Sequence, residues 1–239
     1  MQIYLINLDK DKDRLTIIDS QLRKLGISYE RFSAIYAKDI PKEKIRKYVN
    51  RFRWWCCIGR QILPGEVGCA LSHHSIYQTI IDKGINYVCI LEDDIIINEN
   101  FKERICKIEN WIDINKPQVI LLSNYTNERE DIEEIKKVNS GLCTDAYIIT
   151  KEAAKALLKE NFPICVPCDY WGRWVKNKSI DLYMALPHVA KQNWNDFESN
   201  MAESKQFNKR KNILQIFLHK VKRLIGLTID KVLSLFEHL

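Results

Sequence analysis

The run Tyr87-Val-Cys-Ile-Leu91 is apolar enough for a buried strand, and it stops in three consecutive acids, Glu92, Asp93 and Asp94. Open α/β sheets bind ligands outside the carboxyl ends of their strands, so charged ligands or metals belong at this corner. Three adjacent carboxylates repel one another, and a cation relieves that repulsion. Divalent Mg or Mn prefers oxygen, takes one or two carboxylates from the protein and fills its shell with substrate phosphates and water. The spacing suits a metal-diphosphate site, although an acidic turn on a solvated rim has the same composition.

Gly65-Glu66-Val67-Gly68-Cys69-Ala70-Leu71-Ser72-His73-His74 is the second signal. With Glu66 in the first turn of a helix, Cys69, Ser72 and His73 share nearly one face. The two glycines admit close approach to a helix start that favours anions. His73 taken alone reads more readily as a structural histidine with its hydrogen bonds satisfied, and gains interest only in company. Asp169 lies among Cys168, Tyr170 and Trp171, where partial burial would raise its proton affinity and suit it to act as a base; an ordinary surface aspartate is the alternative. Asp9, Asp11 and Asp13 alternate like a calcium loop, but Arg14 and Ser20 occupy the positions that need Gly and Glu. No GxxxxGK[ST] or GxGxxG run occurs, which argues against ATP hydrolysis and dinucleotide redox chemistry.

Strands and helices must alternate to hold these groups. Gln2 to Asn7 suits a buried strand, Asp11 to Leu25 carries Leu15, Ile18, Leu22 and Leu25 at helical spacing before a stop at Gly26, and Tyr29 to Ile35 reads as a second strand. Strand, helix, strand at this spacing predicts a right-handed crossover in a parallel sheet. Lys38 to Leu63 reads as a mobile connection with a short helix around Pro41 to Val49. Helices are expected over Gly65–Lys83, Asn98–Ile112 and Lys151–Lys159, and strands over Tyr87–Leu91, Val119–Ser123 and Asp145–Thr150. Pro163 to Pro187 reads as irregular and aromatic, the kind of segment that lines pockets.

The 239 residues, 46% hydrophobic and 28% charged, describe one globular body with an appendage. No apolar run reaches the roughly 18–20 residues of a membrane-spanning helix. Residues 205–239 carry eight basic side chains against Asp230 and Glu237, so the whole net charge of +6 lies there. A pI near 8.8 concentrated in one terminal segment points away from nucleic acid. In that segment Leu214, Phe217, Leu218, Val221, Leu224 and Ile225 follow the helical pattern opposite basic residues. This reads as a helix lying in an anionic membrane surface, or as one docked on the protein's own core. The residue order at the N-terminus lacks the plan of a secretion signal, so the eight cysteines are expected to be reduced and the protein cytoplasmic.

Three blocks stand in a familiar order: Asn7-Leu8-Asp9 through Arg14, Gly65-Glu66-Val67-Gly68-Cys69-Ala70-Leu71-Ser72-His73, and Leu91-Glu92-Asp93-Asp94. With Asp145-Ala146-Tyr147-Ile148-Ile149-Thr150 and Val166-Pro-Cys-Asp169 following, residues 1 to about 195 resemble glycosyltransferase family 25, the bacterial lipooligosaccharide galactosyltransferases. The resemblance implies a GT-A-like, Rossmann-type nucleotide-sugar-binding domain over residues 1–204 with a mixed, mostly parallel sheet. The basic amphipathic helical tail, 205–239, follows it. The implied reaction is an inverting transfer of a hexose, galactose from UDP-galactose, onto a lipooligosaccharide or lipopolysaccharide acceptor at the inner face of the cytoplasmic membrane, assisted by Mn2+ or Mg2+. By matching motif, Asp94 and Glu92 become the metal ligands. Asn7, Leu8, Arg14, Ser72, His73, Glu92 and Asp93 line the donor, Asp93 being also a catalytic group, and Asp169 is the base. A glycolipid-binding protein on a degenerate transferase body, or a metal-dependent phosphohydrolase, would use parts of the same set.

Overall fold

The computed structural model describes residues 1–123 and 133–193. In chain order these form β1 Gln2–Asn7, α1 Lys12–Lys24, β2 Glu30–Ser33, α2 Lys42–Tyr48, α3 Arg51–Ile58, α4 Pro64–Asp82, β3 Tyr87–Glu92, β4 Ile95–Ile97, α5 Phe101–Trp111, β5 Gln118–Leu121, β6 Glu134–Lys137, β7 Ala146–Thr150, α6 Lys151–Asn161, α7 Trp171–Lys176, β8 Asp181–Leu186 and β9 Ala190–Gln192. They divide into two compact units. Among the described residues the first holds 1–35, 72–123, 133–160 and 168–193, and the second holds 36–71 and 161–167. The tail at 205–239, expected to be an amphipathic helix, lies outside the described residues.

The first unit is built on a seven-stranded sheet of order β2-β1-β3-β7-β5-β8-β6. β1 pairs in parallel with β2 and β3, and β5 in parallel with β8; β7 runs against both β3 and β5, and β6 against β8. Five strands therefore point one way, which is the mixed, mostly parallel sheet that a GT-A-like fold requires. The crossover through α1 forms as expected from the apolar spacing. It ends in a left-handed Gly26 (φ 62°), whose N–H reaches Arg23 O while Ile27 N–H reaches Leu22 O, and this pair of bonds satisfies carbonyls that the helix end would otherwise leave open.

Strand periodicity sorts the core into two faces. On one, Ile3, Leu5, Cys89, Leu91, Ile120, Leu122, Ala146 and Ile148 pack with Ile18 and Leu22 of α1 and Phe101, Ile105 and Ile108 of α5. Fully burying a side chain such as Leu22 is worth roughly 1.5–3 kcal/mol. On the other face Tyr147 stacks edge-on against Trp171 of α7, which does the same to Trp174, and α4 contributes Tyr77 through a hydroxyl contact to Tyr147. Beside the main sheet, β4 and β9 pair antiparallel with Ile95 opposite Gln192.

Four expectations change. Lys38–Leu63 is more than a connection, since α3 follows α2 there, capped by Asn50 Oδ1 accepting from Arg53 N–H and closed by Gly59 at φ 76°. The segment Pro163–Pro187 is about half regular, containing α7 and β8. β8 is held by pairing on both edges, with β5 and with β6, a long-range cause that local aromatics do not announce. The three- and four-residue strands β4, β6 and β9 are too short to carry periodicity. The Asp145–Thr150 and Val119–Ser123 strands are each shorter at one end, because Asp145 and Ser123 lie beyond the ladder.

The second unit is small. Val49 bridges Ile164 in parallel, and Trp54, Cys56 and Cys57 of α3 are buried. Asn161 Oδ1 accepts from the N–H groups of Cys165 and Val166, and its amide donates to Val166 O. Glu66 accepts from both terminal nitrogens of Arg60 and from Leu63 N–H, so its carboxylate closes the helix start. All eight cysteines are free thiols. No helix among the described residues is long and apolar enough to cross a membrane.

Candidate functional site

The three acids fall on two sides of the sheet. β1 and β3 run in parallel with Ile6 beside Glu92, so the next residues along, Asn7 and Asp93, are neighbours on the α1 side. Asn7 Nδ2 donates to Asp93 Oδ2 at 2.7 Å and to Asp11 O at 3.0 Å, and its Oδ1 accepts from Arg31 Nε at 2.9 Å. Arg14, in the first turn of α1, donates through Nη1 to Asp93 Oδ1 at 3.2 Å and lies 3.7 Å from Asp94 Oδ2. Both oxygens of Asp93 are thus engaged. Burial pushes its carboxyl up, and the bonds from Asn7 and Arg14 hold back part of that rise. Leu8, half-buried, accepts from Asp11 N–H at 2.9 Å and so shapes the turn into α1.

Glu92 faces the other way, toward α4. His73 Nε2 approaches its Oε1 at 3.2 Å and Thr144 Oγ1 donates to the same oxygen at 2.8 Å. The side chain is a quarter exposed, and Oε2 accepts no hydrogen bond among the described residues. Burial alone would raise the Glu92 carboxyl, but the bonds from His73 and Thr144 and the fields of His73 and Arg14 outweigh it and bring it down. Behind His73, its Nδ1 is 2.7 Å from Tyr147 Oη, which is 2.7 Å from Tyr77 Oη. Burial, then the neighbouring Tyr77, holds the Tyr147 phenol protonated. Ser72 is almost wholly buried and its hydroxyl accepts from Ile35 N–H at 2.8 Å.

Asp94 is held from the small sheet. Gln192 Nε2 donates to its Oδ2 at 3.1 Å, and Asn193 N–H to its carbonyl at 2.7 Å. Oδ1 is buried without a hydrogen-bond partner among the described residues. Burial first, then the charges of Glu92 and Asp93, lift this carboxyl to about 6. Asp145, 2% exposed, accepts from Ser123 Oγ, and its Oδ2 is likewise buried without a partner among the described residues. It is pushed up to about 7 by burial and then by Glu92 and Asp94.

Asp169 is half-buried at the same end of the first unit. Its charge is felt by the Cys143 thiol, which burial pushes well up with the further help of Asp145, Asp169, Glu92 and Asp94. The structure thus gathers Asn7, Arg14, His73, Glu92, Asp93, Asp94 and Asp169 toward one corner, with Ser72 committed to the backbone beneath it. Thr144, Tyr147, Tyr77, Gln192 and Ser123 join the site without having been singled out. The alternation of Asp145 and Tyr147 at the head of an apolar strand was a signal for two polar groups on one face. Gln192 had none, because it reaches Asp94 only through the β4–β9 pairing.

The unpartnered carboxylate oxygen of Asp94 and the open oxygen of Glu92 are hard donors of the kind that divalent cations take, and buried polar atoms otherwise find hydrogen-bond partners.

Residues 1–171 match the model of a family described as glycosyltransferase family 25 (LPS biosynthesis protein). A mimivirus procollagen lysyl hydroxylase and glycosyltransferase is 28% identical over 228 residues, covering 82% of this chain and 25% of that protein. A Haemophilus influenzae protein described as a glycosyltransferase is 27% identical over 250 residues, covering 93% of this chain and 83% of its own length. The procollagen galactosyltransferase 1-B of Xenopus laevis is 25% identical over 174 residues, covering 66% and 28% respectively. This chain therefore spans about a quarter of the length of the viral and frog proteins. With the matched model extending from the first strand through the acidic corner into α7, the chain belongs to glycosyltransferase family 25.

Proposed function

We propose that the chain is an inverting glycosyltransferase that moves galactose from UDP-galactose to a hydroxyl of a lipooligosaccharide acceptor with the help of Mn2+ or Mg2+. The observation that carries the reading is Asp94, a buried carboxylate at the end of β3 with one oxygen held by Gln192 and the other without a partner among the described residues. Family membership supports glycosyl transfer, and the names of the family and of the frog relative favour lipopolysaccharide-type acceptors and galactose.

Asp94 and Glu92 would hold the ion, and what a divalent ion supplies there is positive charge against the diphosphate as it leaves. The chain's own groups do the rest. Arg14 places a guanidinium beside Asp93 and Asp94, adding a fixed positive charge on the nucleotide side. Asn7 locks Asp93 in one rotamer so that the acidic turn is preorganised. Glu92 has Oε1 pinned by His73 and Thr144, which leaves Oε2 for the ion. Asp169 accepts the proton of the acceptor hydroxyl as its oxygen attacks the anomeric carbon and the bond to the UDP oxygen breaks. Attachment to an anionic membrane at its cytoplasmic face through residues 205–239 belongs to the same proposal, supported by the charge and periodicity of that segment.

The test incubates the full chain with Mn2+ and a panel of UDP-sugars, and follows UDP release with and without truncated lipooligosaccharide. Acceptor-dependent release from UDP-galactose is expected. Asp94→Ala should lose about a hundredfold or more in metal-dependent turnover while keeping the parent circular dichroism. Undiminished turnover in that variant would rule out the metal role, and release that ignores the acceptor would favour a hydrolase.

A further inference from the structure

At 3.6 residues per turn, the side chains of Arg51, Phe52 and Trp55 leave α3 within one arc of about 100°. All three are exposed, Phe52 by 57% and Trp55 by 41%, while Trp54, Cys56 and Cys57 on the rest of the helix are buried. Single exposed apolar residues are ordinary, but two large aromatics side by side on the outward face of a short helix are not. Phe162, 49% exposed, adds a third ring in the same unit. It stands 6.4 Å, centroid to centroid, from the half-buried Tyr48 that ends α2. The backbone ties the two segments together there, with Ile164 N–H donating to Tyr48 O and Asn50 N–H donating to Ile164 O.

The charge of this second unit is as uneven as its apolar surface. Its described residues carry eight basic side chains against Asp39, Glu43 and Glu66, whereas those of the first unit balance at twenty of each sign. Arg60 and Glu66 cancel in their own ion pair. Lys42, Lys44, Arg46, Lys47 and Arg51 are all exposed on α2 and α3, and α2 buries no residue at all. That helix displays charge rather than filling a core.

The sign of the charge selects what this face can meet. A second copy would set five net positive charges against the same five, and the chain's own segment 205–239, with eight basic residues against two acidic, repels it likewise. An anionic partner fits. Protruding Trp and Phe among Lys and Arg are the composition of surfaces that lie in a lipid interface, where the rings enter the headgroup boundary and the cations are drawn to anionic lipid. A stacking platform for a neutral sugar chain has no use for the excess charge. We infer that the outward face of α3, with the basic α2 that precedes it in the chain, is a contact surface for an anionic lipid membrane. The inference rests on the proposed membrane setting and deepens it, adding a contact from the folded body to that of segment 205–239.

The experiment sediments the full chain with sucrose-loaded vesicles of phosphatidylcholine, alone or mixed with phosphatidylglycerol. The parent should bind the mixed vesicles and come off as salt rises. Phe52→Ser with Trp55→Ser should weaken that binding about tenfold or more, and Lys44→Gln with Lys47→Gln by about tenfold. Both should keep the parent circular dichroism and the parent UDP release on a soluble oligosaccharide acceptor. Vesicles of brominated lipid give a readout that needs no loss of binding: they should quench the parent's tryptophan fluorescence, and Trp55→Phe should remove part of that quenching at equal binding. Undiminished quenching in Trp55→Phe, parent-like binding in both double variants, or a parent that ignores the vesicles would each overturn the inference. Loss of UDP release in the folded Phe52 and Trp55 double variant would overturn it too, in favour of a face that holds the acceptor. A parent chain that releases no UDP while its vesicle binding follows the expected pattern would sink the transfer reading and leave the membrane contact standing.

Discussion

Asn7→Ala tests how the acidic corner is held. The amide makes three hydrogen bonds, to the Asp93 carboxylate, to Asp11 O and from the Arg31 guanidinium, and is itself 1% exposed. Arg31 is an exposed residue, so water replaces the lost acceptor and that share nearly cancels. Asp93 is 8% exposed, so its Oδ2 is left short of a donor in a place water does not readily reach. A bond to a charged group contributes about 1.5–3 kcal/mol and one between neutral groups about 0.5–1.5 kcal/mol. The sum of the unreplaced parts is about 3 kcal/mol, which for a body of this size lowers the melting temperature by roughly 6–12 °C. Urea unfolding followed by tryptophan fluorescence measures it. Asn7→Asp sharpens the test, because it sets a second carboxylate oxygen where the amide nitrogen lay 2.7 Å from Asp93. Two carboxylates at that distance share a proton, so the folded state holds it more tightly than the unfolded chain. The Asp variant should therefore be closest to the parent near pH 5 and fall away as pH rises toward 8, while the Ala variant shows no such slope. An Asn7→Ala protein within about 0.5 kcal/mol of the parent, or an Asp variant indifferent to pH, would refute the account of Asn7 as the anchor of Asp93.

Two further outcomes follow from the buried aromatic and histidine groups. Tyr147→Phe removes the hydroxyl between His73 and Tyr77; it should cost about 1–3 kcal/mol in stability. It should also move the acid limb of the pH profile of kcat/KM upward, because His73 is then less firmly aimed at Glu92 and no longer holds that carboxyl down. A parent-like profile would mean that Tyr147 only packs. His74 is held down to about 4 by burial and then by the field of His73, so the folded chain refuses a proton that the unfolded chain takes up near 6.5. Its contribution, about 3 kcal/mol at most, is fully present above pH 6.5 and is lost as pH falls toward 4. His74→Gln should flatten that part of the stability curve in urea titrations at stepped pH, and an unchanged slope would contradict it.

Much of the scaffold is written locally. The apolar run of β1, the 3.6-residue spacing of Ile18 and Leu22 and the stop at Gly26 specify a strand, a helix and its end without reference to distant residues, and the structure follows them. β8 was illegible because its partners β5 and β6 lie far along the chain. The direction of β7 was illegible for a related reason, since nothing within Ala146–Thr150 says whether it will enter the sheet along β3 or against it.

The same division runs through the site. The residue types at Glu92, Asp93 and Asp94 and their place at a strand end were determined by the sequence, because a charged cluster closing an apolar strand has few stable places to go, while the company of Asn7, Arg14 and His73 was implied by the resemblance of the motif order. The tertiary structure alone decided how those acids differ. Strand alternation sent Glu92 to His73 and Thr144 and Asp93 to Asn7 and Arg14, and the β4–β9 pairing brought Gln192 to Asp94. The register of β7 against its neighbours set Asp145 opposite Glu92. Hydrogen-bond partners, burial and proton affinity depend on distances between segments remote in the chain, and those distances exist only after the strands have paired.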